Sequence, residues 1–337
     1  MFIFNIARRS VFTGLIILLV LLTSCAKHGE RMFRKSDFVM DTIVAITVVS
    51  DDPSRAEMVI DEGFSELRRL EKLLSFFSGE SEISRINKNA GIKPVKVSAD
   101  TLRVIKKAVE VSRMSGGAFD ITVGPVTGLY DFKEKRLPGD DELERALKLV
   151  GYKNIIIDED RGTVFLKNRG MKIDTGGIAK GYGADRVVEL LKKRGIKAAL
   201  VAVAGDIRCY GRRPDGKPWR VGVKDPMKTG DAILGVLPLT DSAISTSGDY
   251  ERFFIKDGMR YHHLIDPRTG RPAHGLKSVT VLAPEGVLTD SYATAAFVLG
   301  LEEGRRLLEK LGFQYIMVDE GGKLHVSKGL KDHLETV

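Results

Sequence analysis

The sequence predicts an α+β fold, a layered antiparallel sheet with packed helices forming a single catalytic unit. Strand-like runs recur along the chain without strict βαβ alternation, which disfavours a parallel sheet. Two of them, at 154–157 and 163–166, flank the turn residues 158–161 and read as a hairpin. Helical apolar spacing is confined to a few longer segments. The 337 residues are 43% hydrophobic and 29% charged with 35 Gly and 11 Pro, which excludes disorder, collagen and a disulfide scaffold. No linker or internal repeat divides the chain after residue 25.

Residues 1–24 read as an address. Arg8 and Arg9 precede an apolar run over 11–22. That length suits the core of a secretory signal and falls short of the roughly 20 residues that span a bilayer. Leu22-Thr23-Ser24-Cys25 resembles the bacterial lipobox, in which the cysteine becomes the lipid-modified first residue. An ordinary signal peptide ending near a cysteine is the alternative. On the lipobox reading Cys25 is lipidated, 25–37 is a tether and 38–337 is the catalytic domain. The protein would then be anchored on the non-cytoplasmic face of a bacterial membrane, the periplasmic side where the cell has two. Cys209 is the other cysteine, so a disulfide framework or cysteine-based metal site is excluded, and it reads as a buried small residue.

Residues 41–50 alternate and are rich in β-branched side chains, as a strand requires. Asp52-Pro53-Ser54 opens a helix to about residue 76, with Ile60, Phe64, Leu67, Leu70 and Leu74 at helical spacing. A second helix covers 99–115 and ends at Gly116-Gly117. A third covers 181–194 and stops at Gly195, leading to a buried strand over 198–203. Strands are expected at 219–223, 233–238, 243–246, 252–256 and 278–282. Helices at 289–299 and 301–311 precede closing strands at 315–318 and 324–326.

The charge, 53 Lys and Arg against 45 Asp and Glu, is spread without blocks. It suits an anionic ligand or membrane surface, and equally a plain basic exterior. One Trp, no aromatic-basic interleaving and no Cys/His finger spacing argue against nucleic acid.

Chemistry-bearing residues gather in five places. Asp174-Thr175-Gly176-Gly177-Ile178-Ala179-Lys180-Gly181 puts paired glycines and a lysine at a helix start, where backbone N–H groups favour an anion. It lacks Walker A spacing, and a plain turn is the bland reading. Ser115-Gly116-Gly117-Ala118-Phe119-Asp120 sets an aromatic and a carboxylate after a flexible turn. Ser75-Phe76-Phe77-Ser78, followed by the segment 81–87, places an aromatic in a loop, where it can stack on a planar ring or simply join the core. Thr246-Ser247-Gly248-Asp249-Tyr250 is followed by His262-His263-Leu264-Ile265-Asp266-Pro267. Neighbours on a strand face opposite sides, so at most one histidine enters a site. In Thr289-Asp290-Ser291-Tyr292-Ala293-Thr294, Asp290 and Thr294 stand at i and i+4 of a helix. Their oxygens, with a nearby carbonyl, are hard donors suited to Mg²⁺. Dipole stabilisation by Asp290 is the alternative.

Taken in order from about residue 38 to 318, these segments resemble the FAD:protein FMN transferases, the ApbE flavin transferase family. Met40-Asp41-Thr42, Asp-x-Gly-Gly-Ile-Ala-Lys-Gly, Thr-Ser-Gly-Asp-Tyr, His-Leu-Ile-Asp-Pro-Arg-Thr-Gly and Thr-Asp-x-x-Ala-Thr carry the likeness. The resemblance implies an ApbE-like, T-fold-like architecture that binds FAD and Mg²⁺. It implies transfer of FMN to a Thr or Ser hydroxyl of an acceptor protein, with release of AMP. By position it implies FAD contacts at Met40, Phe77, Ala118, Phe119, Asp120, Asp174, Lys180 and Ile265. It implies metal ligands at Gly177 (carbonyl), Asp290 and Thr294, and a functional histidine at His263. Flavin-carrying subunits of membrane redox complexes are the implied partners. Asp41 replaces a usual Gly, Phe77 a frequent Tyr, and Ala204 the first Gly of Gly-Gly-Asp. The proton acceptor is left open between His263 and a carboxylate. FAD pyrophosphatase activity from the same residues and a non-catalytic flavin-binding lipoprotein are the rivals.

Overall fold

Alternation of apolar residues along 42–50 sends Val44, Ile46 and Val48 to one face of a sheet and Val49 to the other, and the architecture follows from covering both faces. The computed structural model describes residues 29–336; Cys25 and the expected signal lie outside them. In chain order the strands are β1 Arg31–Val39, β2 Thr42–Ser50, β3 Val95–Lys96, β4 Ile155–Asp158, β5 Thr163–Leu166, β6 Ala199–Val203, β7 Asp206–Tyr210, β8 Trp219–Lys224, β9 Ile233–Leu239, β10 Ala243–Gly248, β11 Phe253–Lys256, β12 Met259–His262, β13 Leu276–Ala283, β14 Gln314–Asp319, β15 Leu324–Val326 and β16 Glu335–Thr336. The helices are α1 Pro53–Leu74, α2 Glu82–Lys88, α3 Ala99–Met114, α4 Gly124–Thr127, α5 Asp140–Leu147, α6 Ala179–Lys193 and α7 Gly286–Lys310.

Eight strands form the main sheet in the order β1-β2-β6-β7-β10-β13-β14-β15. Its pairings are antiparallel throughout. Helices α1 and α6 cover one face of its first half through Ile60, Phe64, Leu67, Val187 and Leu191, all buried against Val44, Ile46 and Val201. Helix α7 covers the same sheet through β10 and β13, with Phe297 fully buried. The small sheet β16-β9-β8 closes the opposite face with Trp219, Val221 and Leu237. Cys209 is buried in that layer as expected, and burial raises its thiol pKa. Glycine 300, at φ 76°, breaks α7 where two helices were expected.

Two expectations are corrected, and two elements appear that the sequence reading did not assign. Residues 31–37, expected as tether, belong to β1, which pairs with β2 residue for residue from Arg31↔Ser50 to Val39↔Thr42. Their alternation is weak because β1 is an edge strand, largely exposed. Asp41 is not strand: Met40 and Asp41 form a two-residue turn with φ of 55° and 57°. A turn of that kind needs positive φ at both positions, which Asp tolerates where Gly would be free. Residues 82–88 form helix α2, with Ser81 as N-cap accepting from the Ser84 N–H. Finally, β12 completes a hairpin with β11 across Asp257-Gly258, at φ 51° and 75°, a turn signal the sequence displays.

Ala204 opens the β6–β7 turn at φ 55°, a place where glycine is favoured. Ala204→Gly is expected to relieve strain of about 1 kcal/mol and raise the melting temperature. An unchanged or lower melting temperature counts against the strain.

Candidate active site

The β1–β2 turn, the loop after α1, the 118–133 segment, the start of α6, the β6–β7 turn and one face of α7 enclose a cleft of ≈ 1120 Å³. Twelve sequence-predicted residues line it: Met40, Phe77, Ala118, Phe119, Asp120, Asp174, Gly177, Lys180, His263, Ile265, Asp290 and Thr294. They come from segments spread over most of the chain, and the sheet brings them together. The volume exceeds the usual few hundred to 1,000 Å³ of small-ligand sites and has room for a dinucleotide.

Part of the lining is apolar. Phe77 is 74% exposed, edge-on to Phe76 at 5.3 Å, so it is not a core residue. Met40 lies against α6, its sulfur 3.3 Å from where a Cβ on Gly183 would stand. Phe119 and Ile265 are buried wall residues. The Asp120 carboxylate is held within the protein: it accepts from Thr122 N (2.8 Å), Thr122 Oγ1 (2.6 Å) and Tyr152 N (2.8 Å). That turn therefore offers the cleft its backbone and apolar surface.

The rest of the lining is polar, and its geometry comes from two helices that hold each other. At the crossing of α6 and α7, a Cβ on Gly181 would sit 2.0 Å from the Gly286 carbonyl oxygen. Asp290 on α7 accepts from the Gly181 N–H of α6 at 3.0 Å. Asp185 on α6 accepts from Gly286 N (2.7 Å) and Val287 N (2.8 Å) at the start of α7. Each helix thus has its positive end met by a carboxylate of the other. Asp290 thus occupies part of the α6 N-terminus, where the sequence places an anion.

Asp290 and Thr294 share a face as predicted. Thr294 Oγ1 lies 3.2 Å from Ser247 Oγ and 3.3 Å from where a Gly177 Cβ would stand. A side chain at 177 would meet Thr294 and the Phe119 ring, so glycine lets the backbone approach. The Gly-Gly loop is fixed by Thr175 Oγ1 donating to Leu74 O (2.7 Å) and by Asp174 accepting from Gly176 N (2.9 Å). Asn87 clamps the residue before it, accepting from Ile173 N at 2.7 Å and donating to Ile173 O at 3.0 Å. That is the role of the 81–87 segment.

Burial, and then the like charge of Asp206, raise the Asp290 pKa. Burial lowers that of Lys180, but Asp206 and Asp290 more than offset this and leave it raised. Lys180, a point charge at the helix start, is ion-paired with Asp206. Asp206 was absent from the expected site, although a carboxylate directly after the 204–205 turn was legible as a candidate.

The histidines divide as predicted. His262 is buried, edge-on to Phe297, with Nε2 donating to Ala273 O at 2.9 Å. His263 lines the cleft and its Nδ1 donates to Arg252 O at 3.3 Å. A carbonyl only accepts, so Nδ1 carries the proton and Nε2 keeps its lone pair. Burial, His262, Arg252 and Lys180 push the His263 pKa down to about 4, leaving the ring neutral at pH 7.

Fold and site together define an α+β enzyme-like protein with a large cleft whose lining is both aromatic and charged. The sequence model of the ApbE family matches residues 40–317. The chain belongs to the ApbE family. The FAD:protein FMN transferase of Vibrio cholerae serotype O1 is 33% identical over 329 residues, covering 94% of this chain and 96% of its own. The FAD:protein FMN transferase of Treponema pallidum is 32% identical over 333 residues, covering 93% and 92%. The crystal structure of the ApbE protein from Thermotoga maritima matches with a TM-score of 0.84 at 34% identity, covering 90% of this chain and 100% of that one.

Proposed function

We propose that this chain transfers FMN from FAD to a Thr or Ser hydroxyl of an acceptor flavoprotein, releasing AMP. The observation that carries this is a cleft of ≈ 1120 Å³, room enough for a dinucleotide, whose lining brings Phe77 and Met40 together with Lys180, Asp290 and Thr294. The names of the aligned relatives support it. Among the described residues no cluster of three or more His, Cys, Asp or Glu is placed to hold a metal. A metal here would rest on one carboxylate with hydroxyl and carbonyl oxygens. Gly177, Asp290 and Thr294 fit that description, since the missing Cβ of Gly177 brings its backbone to the threonine hydroxyl. They would hold Mg²⁺, which supplies charge neutralisation of the pyrophosphate.

The protein's own groups do the rest. Phe77 and Met40 hold the flavin ring, and Lys180 faces the phosphates. His263 Nε2 takes the proton of the acceptor hydroxyl as its oxygen bonds to the FMN phosphorus. The bond to the AMP phosphate breaks, and AMP leaves with the electron pair. The acceptor belongs to a membrane redox complex, and lipidated Cys25 holds the enzyme on the non-cytoplasmic membrane face. Water in place of the acceptor would give FMN and AMP, so products are compared with and without acceptor. The test is a mass increment of FMN on candidate acceptors incubated with the chain, FAD and Mg²⁺; no flavinylated product from any acceptor removes the transferase reading.

His263→Ala is expected to lower transfer by about 10²–10⁴-fold, whereas His262→Ala loses stability and keeps turnover. The acid limb of kcat/KM should lie well below pH 6.5, toward about 4, because the base form persists to that pH. For stability the sign is the same: a lowered folded pKa contributes above 6.5 and is lost as pH falls toward 4. A reversed ranking of the two variants would place the base on the other face.

A further inference from the structure

Asp206 takes no part in the mechanism above, yet it is buried at the cleft floor with its carboxylate on Lys180. It opens β7, opposite Val203 across the Ala204–Gly205 turn, so strand register fixes its position. Lys180 sits on the first turn of α6, also fixed. A second carboxyl group, Asp290, lies near the pair. The Lys180 ammonium that the FAD pyrophosphate must approach is therefore already paired with a carboxylate. An arrangement selected only for tight binding of a polyanion would leave the lysine unbalanced.

We propose that Asp206 is a positioning residue that aims the Lys180 ammonium and balances its charge, so that ground-state binding of the FAD pyrophosphate is held back while charge developing during transfer is met by an oriented lysine. The inference rests on the FAD-directed function proposed above. Its physical content is differential binding: an interaction withheld from the substrate and delivered in the transition state raises turnover. A purely structural Asp206 makes the opposite prediction, because loosening the floor would weaken binding as well as turnover.

Asp206→Asn keeps the shape and a hydrogen bond to Lys180 and removes the charge. FAD affinity is measured without Mg²⁺ by quenching of flavin fluorescence, and turnover by AMP release at saturating FAD and Mg²⁺. Metal-free FAD binding should tighten about five- to tenfold, the size expected of one partly screened unit charge. Turnover should fall at least about tenfold. Asp206→Glu, which restores the charge, should return FAD affinity to the parent value. In a Lys180→Met background, Asp206→Asn should lower turnover no further, since residues acting as one unit are non-additive. Weaker FAD binding in Asp206→Asn, parent-like turnover, or additive losses in the double variant would each overturn the inference. A parent protein that neither binds FAD nor releases AMP overturns the underlying function, and this inference with it.

Discussion

Asp290→Asn is expected to lower Mg²⁺-dependent turnover by at least about a hundredfold while leaving the protein as stable as its parent or more so. The loss follows because this is the only full negative charge in the proposed metal shell, and metal stabilisation of such transition states supplies several kcal/mol. The stability gain follows from the same burial. Desolvation and then Asp206 raise the carboxyl pKa above its ordinary value, so the ionised form is disfavoured in the fold. The favourable contribution of such a group is present at low pH and lost as pH rises through the raised pKa. At neutral pH the carboxylate therefore weighs against folding. An amide oxygen still accepts from Gly181 N, so the helix start stays capped. Melting curves and AMP release under limiting Mg²⁺ read the two effects separately. Full turnover would remove Asp290 from the metal site; a large drop in melting temperature with little change in rate would make it a helix cap alone.

Gly181→Ala should be the most damaging glycine-to-alanine change among the described residues. Its Cβ would stand 2.0 Å from the Gly286 carbonyl oxygen, 2.5 Å from the Gly286 carbonyl carbon and 2.7 Å from Asp290 Cβ. The nearest atoms are backbone and cannot rotate away, so the two helices must separate. Overpacking of this sort costs about 1–3 kcal/mol and more where backbone must move. Separation would also pull Asp290 and Thr294 away from Gly177 and Lys180. A lower melting temperature and loss of turnover are expected together. Gly286→Ala, with its Cβ 2.5 Å from the Gly181 oxygen, should repeat the effect more mildly. Parent-like melting of both variants would refute the close crossing.

Much of this was legible locally. Strand β2, helices α1, α3 and α6, and the hairpin β4–β5 follow from periodicity, caps and turn residues that act within a few positions. So does the division of His262 from His263, because successive strand residues face opposite ways. The pairing of Asp290 with Thr294 needs only helical geometry. Edge strand β1 was not legible: exposed on much of its surface, it carries little hydrophobic signal. Strand β7 and helix α5 were missed for a related reason, being short segments of five and eight residues whose stability comes from neighbours.

The amino-acid sequence alone determined which residue types are available to the site and which share a face of their own helix or strand, because those relations depend on backbone geometry within one element. It also carried the order of motifs on which membership of the ApbE family rests. The tertiary structure alone decided what each charge meets. Asp290 stands at the start of a helix that is not its own, Asp185 returns the cap, and Lys180 faces Asp206 across 26 positions. Those partnerships depend on sheet order and on a helix crossing where only glycine fits. Long-range pairing of charges has no periodicity to read, since it is set by packing of elements far apart in the chain.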